Sequence, residues 1–194
     1  MTLKTFSAHS NNLSKGPNLS DPILLYGDSI AFDVFRNGTK IGFHQVNFYR
    51  ENRNLKVVSI FEIEINLLFF TAFSFNYKCE SLWQKNSLEE LKATINDDGK
   101  LFSFKATRDG DDILITPDQQ KTKAPLFTTN HWNSDVLKQK KVLNTLTGNL
   151  NKISILNLGK EGVVTENGKI QATHFQYTGD LDAEVWYDQL GRWV

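Results

Sequence analysis

Cysteine is almost missing from this chain of 194 residues, which has a single one, Cys79. One thiol cannot close an intramolecular disulfide, so stability must come from a packed core, and Cys79 fits a reducing compartment or inert burial in a strand. An excess of either charge is missing too. Lys plus Arg (22) balances Asp plus Glu (22), which leaves no basic field for a phosphate backbone, and no nucleic-acid partner is expected. No apolar run reaches the ~20 residues of a membrane-spanning helix, and the amino terminus lacks the apolar run of about 7–15 residues of a secretory signal. As written the chain reads as cytoplasmic, with the periplasm open if a leader has been removed. Motifs for metal and cofactor chemistry are absent as well. His9, His44, His131 and His174 are scattered, with no HxH, HxxxH or CxxC, so no metal is expected. There is no GxSxG elbow, and Gly159 and Gly162 read as flanking a hairpin turn rather than opening a phosphate loop, so no cofactor is expected.

What the chain has in quantity is aromatic residues, Phe above all (14), arranged with the period of strands. Residues 1–22, rich in Ser, Asn, Lys and Pro, carry too few apolar groups to offset the entropy of ordering them and read as a flexible leader. Residues 23–194 read as one domain, long enough to bury about two-thirds of its unfolded surface. Ile30, Phe32 and Val34 share one parity, and Asn37-Gly38 supplies two positive φ values for a tight hairpin before Ile41, Phe43 and Val46. After a turn at Asn52 to Asn54, Val57, Ser59, Phe61, Ile63 and Ile65 form the core-facing parity of the next strand. Asp98-Gly99, Asp109-Gly110, Asn167-Gly168 and Gly179-Asp180 mark further turns. SLEELKA (87–93) looks helical in composition, but Ala93, Thr94, Ile95 and the turn after them favour a strand.

Strand follows strand with short polar turns, the pattern of an antiparallel meander and not of βαβ units. The expected fold is all-β, a meander of about ten to twelve strands curled into a barrel or half barrel, with one short helix, Ser134 to Lys141, across an open end. The segment 65–75, INLLFFTAFSF, is apolar on both faces. It is either a strand corner covered on both sides or a rim (67–75) that touches a membrane or a protein partner.

The alternation stops between Pro125 and Gly148, where side chains able to recognise something are densest. His131 is the candidate general acid or base and Asn130 the candidate stabiliser of negative charge. Thr129, Trp132, Asn133, Asn144 and Thr145 are candidate ligand contacts, joined by Trp186 and Arg192 from the carboxy-terminal strands. Each also has a purely architectural reading. His131 can tie the loop to the sheet, Asn133 or Ser134 can cap the helix, Asn144 and Thr145 can satisfy a strand edge, Trp186 can be core and Arg192 a surface ion pair.

FDVFRNGTKIGFH, TTNHWN, VLNTLTG and YTGDLDAEVWYDQLGRWV together resemble an uncharacterised family of bacterial proteins, a domain-of-unknown-function group common in proteobacteria, from Ser29 to Val194. Members often run a strand or two beyond the Trp-Val pair, and some carry export signals. The resemblance implies architecture and no chemistry. In general pattern the meander is also similar to lipocalin-like and lipoprotein-carrier-like half barrels, an analogy of fold. Three functional expectations follow: an apolar small molecule or lipid held in the curled sheet; a cofactor-independent isomerase or cyclase using His131; or a structural, partner-binding domain with a filled interior.

Overall fold

The structure is a computed structural model that describes residues 21–67, 70–166 and 168–194. Helix α1 (Pro22–Tyr26) opens it, with the Asp21 carboxylate accepting from the Ile23 amide and Pro22 in the first turn. Asp21 and Pro22, expected in the leader, therefore belong to the folded domain, and the rest of that segment lies outside the described residues.

Eight strands follow in strict neighbour order: β1 (Ser29–Arg36), β2 (Thr39–Glu51), β3 (Asn54–Leu67), β4 (Phe70–Gln84), β5 (Ser87–Asp97), β6 (Lys100–Asp109), β7 (Asp112–Thr116) and β8 (Gln120–Lys123). Local chemistry makes the hairpins. Asn37-Gly38 (φ 51° and 78°) and Asp98-Gly99 (φ 50° and 88°) adopt the left-handed pair that a two-residue turn requires. The 87–97 segment is a strand, its burial alternating because Leu91, Ala93 and Ile95 face the core. At Gly42, β2 approaches β3 so closely that a Cβ would lie 1.9 Å from the Glu62 carbonyl oxygen.

Register stacks the inward side chains of this sheet into rows across the strands. One row runs Ile30, Val46, Ser59, Cys79, Ala93, Phe104; the next runs Phe32, His44, Phe61, Tyr77, Ile95, Phe102. Val46, Ser59, Cys79 and Ala93 are fully buried, each apolar side chain adding roughly 1–3 kcal/mol. Phe61, Ile63, Ile65, Phe73 and Phe75, farther along β3 and β4, are only half-buried. Of the two-faced apolar segment, Phe70 is exposed, while Leu68 and Phe69 lie outside the described residues.

The second sheet has the order β13-β12-β11-β10-β9, formed by β9 (Phe127–Thr128), β10 (Lys141–Leu143), β11 (Leu150–Thr165), β12 (Gly168–Gly179) and β13 (Ala183–Asp188). The thirteen strands of the described residues thus form two open, curled sheets rather than one unbroken meander, and β9 and β10 pair in parallel. Strands of two and three residues are too short for an alternation to be visible in sequence. Ser134–Lys138 is a 3-10 turn that stops before Lys141, which begins β10. Gly159 and Gly162 lie inside β11, beside a bulge at Asn157/Gly159, instead of flanking a hairpin turn. The β11–β12 turn pairs Thr165 with Gly168, and Asn167 lies outside the described residues. Two apolar clusters result, one per sheet, and Trp193 packs against both.

Candidate functional site

The stretch from Pro125 to Gly148 carries the chain from one sheet to the other and is packed into both. Leu126, Trp132 and Leu143 join the first cluster; Phe127, Val136 and Val142 join the second. At its centre the Trp132 amide donates to the Asn130 carbonyl, closing a three-residue γ-turn around His131, whose φ is 43°. A β-carbon at positive φ is unfavourable, so the turn has to be held from outside.

Three tyrosines hold it. Tyr77 donates its hydroxyl to the Asn130 side-chain oxygen (2.9 Å), Tyr187 to the His131 carbonyl (2.7 Å) and Tyr26 to the Trp132 carbonyl (2.9 Å). They come from β4, β13 and α1, so consecutive residues are fastened to three separate parts of the fold. Burial raises all three phenols, Tyr26 to about 12, so they stay protonated donors at neutral pH.

Thr129, Asn130 and Thr145 complete the network. The Thr145 hydroxyl donates to the Asn130 side-chain oxygen (3.1 Å), which leaves Thr129 as donor in the 3.1 Å Thr129–Thr145 contact, while Thr129 accepts from the Thr145 amide. The Asn130 oxygen, with two donors already, is committed to the fold. Cys79, one row inward, is fully buried and its thiol is pushed up to about 11 by burial.

His131 packs against Tyr177 and Trp193, with ring centroids 5.3 and 5.6 Å away. Trp193 also packs against His44, 5.3 Å from the indole, whose Nε2 is 2.8 Å from the Ser59 hydroxyl. Burial lowers both imidazoles to about 4, and His44 adds to the effect on His131. The His131 Nδ1 is enclosed without a hydrogen-bond partner among the described residues.

The side chains of the other sequence-predicted residues make other contacts. Asn133 caps the 3-10 turn through the Asp135 amide, Asn144 accepts from the Leu146 amide in the following turn, and Arg192 forms a 2.6 Å ion pair with Asp188. Trp132 stands perpendicular to Trp83 at 5.3 Å, inside the first core. Trp186 faces outward on the second sheet, stacked on His174 at 4.4 Å, with Glu161 and Glu184 within 3.3 Å of opposite nitrogens of that ring. A single ion cannot be shared by groups on opposite ring nitrogens, and among the described residues no three His, Cys, Asp or Glu side chains converge as metal ligands.

A family model for a domain of unknown function, DUF6134, matches residues 32–194, taking in both sheets and the crossover between them. The chain belongs to that family. No curated protein and no solved structure matches it. In this DUF6134 domain the residues that sequence reasoning missed are His44, Tyr26, Tyr77, Tyr187 and Trp193, all gathered around the γ-turn. For His44, Tyr77 and Tyr187 the signal in sequence is an inward strand parity, which marks core and site alike; Tyr26, on α1, and Trp193, beyond β13, carry no such parity.

Proposed function

We propose that the protein holds a lipid-like or other apolar small molecule at the open end of the curled first sheet. One observation carries the reading: burial along the inward face falls from complete at Cys79 and Ala93 to half at Phe61, Ile63, Ile65, Phe73 and Phe75, while the side chains stay apolar. An apolar surface left half-covered at one end of a concave sheet is what an apolar ligand would complete. Trp193 and the two neutral histidines form the inner wall of that end, next to Phe32 and Phe61. The exposed Phe70, at the tip of β4, lies where an apolar molecule passing from a membrane or a protein partner would first make contact.

A filled interior supports the partner-binding alternative along much of the first sheet, from Val46 and Val57 to Ile113 and Ile115, and at the crossover, where Trp83, Phe48 and Trp132 pack edge to face. Isomerase or cyclase chemistry draws less from the geometry. Among the described residues His131 has no carboxylate partner to orient it, and the Asn130 side chain is fixed through its oxygen by Tyr77 and Thr145.

Native mass spectrometry of protein purified from a lipid-containing host tests the proposal. A reproducible apolar adduct is expected, lost from an Ile63→Asp/Phe75→Asp variant and kept by Leu156→Asp, which alters an exposed residue on the second sheet. An adduct that survives the paired substitution in a folded protein, or a clean apo mass for the unaltered chain, overturns it.

A further inference from the structure

At the opposite end of the first sheet, where the β2–β3 and β4–β5 turns lie side by side, there is a cleft of about 400 Å³. Its charged lining is Arg50, Arg53 and Lys85 against one carboxylate, Asp21, which is already paired with Arg50. Among the described residues, Arg53 and Lys85 have no carboxylate partner. In a chain with no net charge, two cations in excess within one concavity make it a local attractor of anions.

The floor is of another character. Trp83 and Trp132, at right angles and only 3% and 4% exposed, belong to the lining together with Leu55 and Pro22. The rim is held in place by backbone geometry. Lys85 and Asn86 have φ of 48° and 66°, Asn52 has φ of 57°, and the Asn86 side chain is fastened to Asn133 and Asp135 of the crossover. A cationic rim above an aromatic floor recognises a molecule with both parts.

We propose that this cleft binds a small anion carrying a flat apolar group, an aryl carboxylate or an aryl phosphate. The site is separate from the apolar end of the sheet and does not depend on it. The chain's own amino-terminal residues are a poor occupant on charge grounds, since residues 1–20 carry Lys4 and Lys15 and no Asp or Glu.

The test uses the full chain, titrated with phenyl phosphate, benzoate, inorganic phosphate and benzyl alcohol, read by tryptophan fluorescence and backbone amide shifts. Saturable binding of phenyl phosphate or benzoate is expected, with shifts concentrated at 50–55 and 83–86; whichever binds tighter names the anion. An Arg53→Glu/Lys85→Glu variant, whose changes are on the exposed rim, should bind about tenfold more weakly or worse, with its amide spectrum elsewhere unchanged. The proposal is overturned if the charge-reversed variant binds as well as the parent. It is also overturned if neither aryl anion saturates, if inorganic phosphate or benzyl alcohol alone matches them, or if the shifts scatter over the basic surface.

Discussion

The Tyr187 hydroxyl donates to the His131 carbonyl over 2.7 Å, fastening the last strand of the second sheet to the apex of the γ-turn. Tyr187 is 2% exposed, so the bond is made where water cannot replace it. Tyr187→Phe leaves a buried carbonyl unpaired and should cost about 1–3 kcal/mol, measured by urea denaturation. Tyr49→Phe, on an exposed tyrosine, should stay within about 0.5 kcal/mol of the parent. Equal effects would mean that the carbonyl finds another donor.

His131 sits at a φ of 43°, which glycine adopts without the penalty that a β-carbon brings. Removing the imidazole costs the same contacts with Tyr177 and Trp193 whether alanine or glycine replaces it. The usual order of those two residues should therefore reverse, His131→Gly being more stable than His131→Ala by about 0.5–1 kcal/mol. Thermal or urea unfolding of the pair decides it; alanine as the more stable variant would show that the γ-turn relaxes when the ring is gone.

The parts of the fold that were legible in the sequence are those set by neighbours in the chain. Asn37-Gly38 and Asp98-Gly99 encode their turns in two residues, and the parity of Val57, Ser59 and Phe61 encodes which face is inside. The recognition residues dense at 129–133 form a tightly tethered turn, and such a turn needs polar side chains. Its tethers could not be read, since Tyr26, Tyr77 and Tyr187 lie 106, 53 and 56 residues from their partners. Nor could the basic cleft, made by two turns that become neighbours only through the pairing of Leu55 with Trp83. Trp186 and Arg192 looked like companions of His131 because they are polar or aromatic, but strand parity sends Trp186 outward and Asp188 takes Arg192.

Gly42 offers a test of the β2–β3 approach that is independent of any site. Its φ is not in the left-handed region, so the penalty of a side chain is steric: an alanine Cβ would meet the Glu62 carbonyl at 1.9 Å, and the obstacle is backbone. Separating the strands would disturb the row that contains Ile63 and Phe75. Gly42→Ala should lose about 3 kcal/mol or more, whereas Gly38→Ala, with open space but positive φ, should lose about 1 kcal/mol. Comparable losses at the two positions would mean that β2 yields locally.

Acid should weaken the protein through the two histidines that pack against Trp193. His44 and His131 titrate near 4 in the folded chain because burial disfavours the imidazolium, against about 6.5 when unfolded. Between those values the unfolded state binds more protons, so stability is full above pH 6.5 and falls as the pH drops, levelling near pH 4 once both states are protonated. Each histidine contributes about 1.4 kcal/mol per pH unit inside that window. Urea denaturation between pH 7 and 5 should show the decline, and a His44→Gln/His131→Gln variant should flatten it. The location of the loss matters as well. Trp193, whose amide donates to the Tyr26 hydroxyl and whose ring packs against both clusters, is the contact that a charged imidazole at either histidine would disturb first. Its indole fluorescence should therefore respond at the acid end of the window before the strands exchange their amide protons. A fluorescence change that coincides with global unfolding would place the histidines' cost in the whole fold instead of at the seam between the sheets.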